Sequence, residues 1–312
     1  MKMSRVERRA SRAARLGGSF GFRPPALGPR RAFTLIEVLV VVTLLALIVV
    51  ALMGVFTATQ KAFRASMTQT DVLEGGRAAM DLITSDLKAM APSLNYSNGA
   101  VNFYAAVANP FNPLAQSLVG ISNPNIQRTN VLENFFILSR NNQTWTGTGY
   151  VVDTNSANGI NPLYRFSMST NVAAANPWSL FTIFTNAAAI GNFSGMSHLL
   201  DGVVTLRVRA YDNNGYWMLN NISSAGGPTT TNNNVQFFTP ALGETGFIMY
   251  SNTLPATVEI EMAALEDRTL QRASVWPNNT PSQTAYLAKQ AGNLHVFRQR
   301  ISIPNANAAA YQ

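Results

Sequence analysis

Residues 32–42 read Ala-Phe-Thr-Leu-Ile-Glu-Val-Leu-Val-Val-Val, and the apolar run they open continues from Val38 to Phe56, broken only by Thr43 and Gly54. A helix rises ~1.5 Å per residue, so a run of this length approaches the ~30 Å hydrocarbon thickness of a bilayer. It reads as a transmembrane helix. Arg30 and Arg31 stand directly before it with no comparable basic cluster behind, which keeps the N-terminal side cytoplasmic and sends the rest across. The lone carboxylate, Glu37, stands at the apolar start, where an ionised group costs several kcal/mol. An acid there either snorkels to the headgroups of an ordinary anchor or waits for a partner.

Arg31 through Val42 resembles the class III signal of type IV prepilins and type II secretion pseudopilins. The resemblance implies that an aspartyl prepilin peptidase cuts between Ala32 and Phe33 and N-methylates Phe33, making Glu37 the fifth residue of the mature chain. The residue before the cut in that family is usually Gly, and Ala32 departs from it. The implied partners are the prepilin peptidase, other pilin or pseudopilin subunits, an inner-membrane assembly platform and membrane lipid. When such helices stack, each acid can meet the α-amino group of a neighbour. In a low-dielectric core that pairing favours one register, so Glu37 is the expected register residue.

Composition supports export and argues against nucleic acid as a partner. The formal charge is +8, from 23 Lys and Arg against 15 Asp and Glu. Residues 1–32 hold Lys2, Arg5, Arg8, Arg9, Arg12, Arg15, Arg23, Arg30 and Arg31 against Glu7, so the remaining chain carries 14 basic and 14 acidic residues. The basicity belongs to the leader and not to a nucleic-acid surface. There is no Cys, hence neither a disulfide framework nor a thiolate metal site.

The chain divides by pattern into a basic, cleaved cytoplasmic leader (1–32), a membrane and filament-core helix (33–56), an amphipathic continuation (57–91), a variable loop region (92–130) and a β-rich head (131–312). In the continuation Phe63, Met67, Thr70, Leu73, Gly76, Met80, Ile83, Leu87 and Met90 recur every three or four residues, one buried helical stripe ending before Pro92. Gly54, Gly75 and Gly76 mark close helix packing or local unwinding. The loop region contains three Asn-Pro pairs, at 109–110, 112–113 and 123–124. Strands are expected at 134–139, 149–153, 163–168, 180–184, 203–211 and 294–303, with Asp212-Asn213-Asn214-Gly215 a turn into a return strand from Tyr216 to Leu219. Val258, Ile260, Met262 and Ala264 alternate with Glu259 and Glu261. This strand is expected beside 203–211, with Arg207 and Arg209 facing the two acids. The tail from Pro304 is expected to fray.

The stretch Asp201 to Asp212, then Gly215-Tyr216-Trp217, then Leu254 to Ile260, is similar to the J-type minor pseudopilin of type II secretion, and to prepilin-like cassette proteins of verrucomicrobial bacteria. The fold implied is α+β and pilin-like, a long N-terminal helix packed on an antiparallel sheet.

Enzymatic chemistry finds little support in the residues. The two histidines, His198 and His295, are far apart in sequence and nominate no triad. Asp153-Thr154-Asn155 and Asp212-Asn213-Asn214-Gly215 offer oxygens to calcium or form ordinary Asx turns; neither has the distal Glu of a full acidic loop. No catalytic residue, cofactor site or metal ligand is assigned. Trp145, Trp178, Trp217 and Trp276 are read as core. The expected function is a structural minor subunit of a type II secretion pseudopilus or related type IV filament. The rival is an uncleaved, membrane-tethered binding or adhesive domain.

Overall fold

Apolar residues spaced for one continuous helix, with no Pro between Pro29 and Pro92, give helix α1, Leu35–Lys88. The computed structural model describes residues 33–93, 100–108, 130–156, 159–171, 177–218, 234–238, 243–278 and 280–307. The leader, the Asn-Pro pairs and the final residues of the tail lie outside them. The chain divides into two units, up to Thr59 and from Gln60 onward.

In the first unit every described residue is exposed. Three hydroxyls within the helix donate back to carbonyls of the preceding turn: Thr43 to Val40 (2.8 Å), Thr57 to Met53 (2.8 Å) and Thr59 to Val55 (2.8 Å). The apolar stretch therefore carries polar atoms already satisfied by its own backbone, as a bilayer requires.

Among the described residues of the second unit, ten strands form two antiparallel sheets. The strands are β1 (Val101–Val107), β2 (Glu133–Asn141), β3 (Thr144–Val152), β4 (Leu163–Asn171), β5 (Ser197–Leu200), β6 (Val203–Tyr211), β7 (Val235–Phe237), β8 (Phe247–Tyr250), β9 (Thr257–Leu265) and β10 (Leu294–Ser302). One sheet runs β5-β4-β3-β2-β1-β8-β7 and the other β10-β9-β6. The other α-helices among the described residues are α2 (Trp178–Ile190), α3 (Asp267–Ala273) and α4 (Pro281–Leu287).

The last turns of α1 supply Ala79, Met80, Ile83 and Leu87 to a core shared with the apolar faces of both sheets. Phe135 and Ile137 of β2 face this core, whereas Phe136 and Leu138 face a second one closed by Leu180, Phe181 and Phe184 of α2. Buried on both sides, β2 reads as an unbroken apolar run. Two glycines of β3 let α2 approach. A Cβ on Gly149 would lie 2.4 Å from the Phe184 ring, and one on Gly147 2.8 Å from the Phe136 ring.

The α+β, pilin-like architecture is as the pattern implies, and several details differ. Residues 180–184 are helical, not a strand. Leu180, Phe181 and Phe184 share one face at helical spacing, Ala187 to Ala189 favour helix, and Gly191 closes it at φ 74°. Within the stretch read as loop, residues 101–107 form β1, which pairs with β2 and β8. The return strand at 216–219 is reduced to a bridge between Tyr211 and Trp217, with Leu219 outside the described residues. The helical stripe is buried only from Val72; Phe63, Met67 and Thr70 are exposed because no described element of the head covers them. Of the four tryptophans only Trp145 is buried. β6 and β9 are neighbours as expected, with the two arginines opposite the two acids, and the antiparallel register places Arg207 opposite Glu261 and Arg209 opposite Glu259.

Candidate functional site

At the start of α1, Thr34 and Glu37 satisfy each other. The Thr34 amide and hydroxyl donate to Glu37 Oε2 (3.2 and 3.1 Å), and the Glu37 amide donates to Thr34 Oγ1 (3.3 Å). This is a capping box, Thr at the N-cap and Glu at the third helical position, with the acid also favourably placed at the positive end of the helix dipole. The Thr-x-x-Glu spacing before an apolar run carries that signal in sequence, and the reading above passed over Thr34 in favour of Glu37 alone. Phe33 precedes the cap and is exposed; Ala32 lies outside the described residues. From Val38 to Phe56 all the large apolar side chains are exposed, and α1 is the one helix among the described residues long and apolar enough to cross a membrane. A carboxylate engaged by its own cap needs no second partner to stay in place in a single subunit. Its remaining lone pairs stay open to a donor from outside.

The head carries its charges on the sheet face turned away from α1. Glu259 accepts from both Arg298 (2.6 Å) and Arg300 (3.0 Å), Arg207 approaches Glu261 (3.5 Å) and Glu244 (3.4 Å), and Arg209 clamps Glu244 through Nε (2.9 Å) and Nη2. Arg209 lies over the Trp217 ring and Arg300 over that of Tyr211, at 4.6 and 4.1 Å from the centroids. Burial alone would raise the Glu259 carboxyl, but hydrogen bonds from Arg298 and Arg300 outweigh it and hold the group below its ordinary range. Hydrogen bonds to Glu244 raise the Arg209 pKa and outweigh the desolvation that opposes its charge.

Glu244 comes from a loop with no periodic pattern, so nothing in the sequence marked it as the partner of Arg207 and Arg209. Nearby, Glu133 is buried with one oxygen accepting from the Val208 amide and the other without a partner among the described residues. Burial pushes its carboxyl up to about 8, against the opposing pull of the Val208 amide; Glu244 adds to the rise, and Arg207 and Arg209 offset part of it. On the α1 side, Arg165 grips Asp86 bidentately (2.8 and 3.0 Å) and the Tyr150 hydroxyl donates to the same carboxylate. This triad fastens α1 to β3 and β4.

The remaining expected sites stay apart. His198 pairs with Asp201 at 2.9 Å and His295 with Glu266 at 3.1 Å, on different sheets. In both acidic turns the Asp accepts from backbone amides, Asp153 from Asn155 (2.9 Å) and Asp212 from Asn214 (2.9 Å) and Tyr216 (2.8 Å), which are Asx turns. Among the described residues no group of three or more His, Cys, Asp or Glu side chains is gathered for a metal.

Residues 28–53 match the family model described as the prokaryotic N-terminal methylation motif. No curated protein and no solved structure matches the chain. The matched residues include Ala32, Phe33, Thr34 and Glu37 and most of the apolar run. A prepilin-type N-terminus with a membrane-length helix thus stands before a pilin-like α+β head.

Proposed function

We propose that this chain is a structural minor subunit of a type II secretion pseudopilus or a related type IV filament, and that it does no catalysis. In this reading prepilin peptidase removes residues 1–32, cutting between Ala32 and Phe33, and methylates the Phe33 amine. The subunit then waits in the bacterial inner membrane with its head on the periplasmic side. An assembly platform moves it into the filament, where Val38 to Phe56 exchange lipid for neighbouring helices and Glu37 meets the amine of an adjacent subunit. The similarity of 201–217 and 254–260 to J-type minor pseudopilins points to the secretion branch. A calcium ion at Asp153 or Asp212 would be an addition to this role, not a condition of it.

The observation that carries the reading is the methylation-motif match at 28–53, which falls on the capping box and on the exposed apolar helix together. An ordinary anchor needs the apolar run alone. The test is N-terminal mass spectrometry on chain recovered from membranes of cells with and without the peptidase. Methylated Phe33 as the first residue, lost when the peptidase is deleted, is the expected result. An intact leader in both samples would replace this reading with the uncleaved tether.

A further inference from the structure

The two edges of the three-stranded sheet differ. On β6 the edge away from β9 is closed: the Leu206 amide donates to the Val131 carbonyl (2.8 Å), the Val208 amide to Glu133, and the Ala210 carbonyl accepts from the Met218 amide (2.9 Å). β10 forms the other edge, and its one strand partner among the described residues is β9. At nine residues it is longer than β5 and β7, the four- and three-residue strands that end the large sheet. An edge of that length offers a row of backbone donors and acceptors to another extended chain.

The register identifies those groups. The Ile303 amide donates to the Ala256 carbonyl and the Asn293 carbonyl accepts from the Glu266 amide, so the odd-numbered residues of β10 bond to β9. The backbone groups of Val296, Arg298 and Arg300 therefore point away from it. The same alternation sorts the side chains. Phe297 and Ile301 enter the core, while Val296, Arg298 and Arg300 stand on the charged face, each more than half exposed. The free edge thus shows one apolar residue and two guanidiniums in line.

Charge decides what pairs there. Arg298 and Arg300 share the Glu259 carboxylate, and Glu261, 4.0 Å from Arg298, also faces Arg207. Each guanidinium has five N–H donors, and its bonds to Glu259 run through Nε and Nη2 alone. The edge therefore keeps positive charge and open donors toward solvent. A second copy of β10 is disfavoured, because near full overlap sets the arginines of both copies together on one face. A strand with carboxylates at alternate positions meets the opposite situation. We propose that the free edge of β10 is a docking site for an extended acidic segment of a different subunit, added as a fourth strand, with carboxylates opposite Arg298 and Arg300 and an apolar side chain opposite Val296. That the segment comes from a neighbouring filament subunit rests on the function proposed above. β10 itself lies on α1, with the Phe297 ring against Gly76 and Gln299 accepting from the Thr84 hydroxyl at 3.1 Å, next to the helix whose apolar surface that function buries.

The test uses the full chain in detergent and synthetic peptides capped at both ends. The acidic probe is Thr-Glu-Thr-Glu-Thr-Val-Thr, whose two Glu and Val fall opposite Arg300, Arg298 and Val296 in an antiparallel addition. It should bind saturably and slow hydrogen exchange at the amides of Val296, Arg298 and Arg300 by about tenfold or more. N-methylation of its two Glu residues, whose amides face β10, should abolish binding, whereas N-methylation of the two Thr that follow them, whose amides face away, should not. Val296→Pro removes an edge donor without touching a bond to β9 and should weaken binding about fivefold or more. Near-ultraviolet circular dichroism checks that this variant folds; if it does not, the methylated peptides test the same bonds from the other side. The proposal is overturned if the acidic peptide does not saturate, if its Lys-for-Glu analogue or a peptide copying residues 294–302 binds as tightly, or if the Glu-methylated peptide binds like its parent. None of these measurements needs the leader removed, so their failure leaves the filament function standing. An uncleaved leader in cells would strike the source of the segment and not the edge.

Discussion

Gly75 and Gly76 are neighbours in α1 whose replacement by Ala should move stability in opposite directions. Ala is favoured over Gly by about 1 kcal/mol in a helix interior, and that gain is common to both positions. At Gly75 the new Cβ would meet only Leu200 Cδ1, at 3.3 Å, the movable end of a side chain. At Gly76 it would lie 2.2, 2.3 and 2.9 Å from three carbons of the Phe297 ring. That ring, which packs on the core beside α1, must shift by more than an ångström, and forced overpacking of this kind costs about 1–3 kcal/mol. Gly75→Ala should therefore stabilise the head by up to about 1 kcal/mol, and Gly76→Ala should destabilise it by about 1–2 kcal/mol. The separation of about 2 kcal/mol corresponds to roughly 4–8 °C in melting temperature for a unit of this size. Thermal unfolding of the full chain in detergent, followed by tryptophan fluorescence, reads it directly, since all four tryptophans lie in the head. In a Phe297→Ala background the penalty at position 76 should vanish and the helix-propensity gain emerge. If Gly76→Ala is as stable as Gly75→Ala with Phe297 intact, the close packing of α1 on β10 is wrong.

Glu37→Gln separates two roles of one side chain, because Gln also completes a capping box but carries no charge. Membrane insertion and helix protection by amide exchange should persist while filament incorporation is lost, and normal incorporation would leave Glu37 with the cap alone. Thr34→Ala should cost about 1 kcal/mol locally, seen as faster exchange over the first turn of α1. Asp86→Ala strips Arg165 and Tyr150 of their shared acceptor and should lower the urea midpoint by the equivalent of about 2–3 kcal/mol, with Asp86→Asn between it and wild type. Glu133 gives the head a pH dependence of definite sign. Its carboxyl is raised from 4.5 to about 8 on folding, so between those values the folded state holds a proton that the unfolded chain has released. Stability should thus be full at acid pH and fall as pH rises through that window, by an amount on the order of several kcal/mol. Glu133→Gln should flatten the dependence in urea titrations run from pH 4 to 9.

Much of the fold was legible because the pattern was local. The β6 and β9 strands alternate cleanly, and opposite charges on their outward positions mark them as neighbours. The segment from Trp178 to Ile190 misled because a short apolar run looks alike as strand and helix, and what arbitrates is the Ala-rich stretch running to Gly191. β1 was hidden by its surroundings of Asn and Pro, and its strand state depends on distant partners in β2 and β8. Glu244 and Asp86 could not be assigned from spacing, since their arginine partners are far away in the chain. At the N-terminus the situation is reversed. The motif was visible, yet the reciprocal bonds between Thr34 and Glu37 show that its acid already has work to do inside one subunit.

The exposed surface of α1 bears on what that subunit must meet. A bilayer accommodates about twenty apolar helical residues, which the run from Val38 to Phe56 already supplies. Phe63 and Met67 lie beyond that run and ahead of Val72, where burial by the head begins, and both remain about two-thirds exposed. The lipid requirement is met without them and the core does not use them, yet they continue the same three-to-four residue spacing as Met80, Ile83 and Leu87. A tether that ended its task at the membrane surface would gain nothing from apolar side chains there and would be less soluble for them. A helix that stacks against copies or relatives of itself needs that surface to extend past the bilayer. Phe63→Ser with Met67→Ser should therefore leave membrane insertion and head stability unchanged while lowering incorporation into filaments, and normal incorporation of the double variant would remove this support for the filament reading.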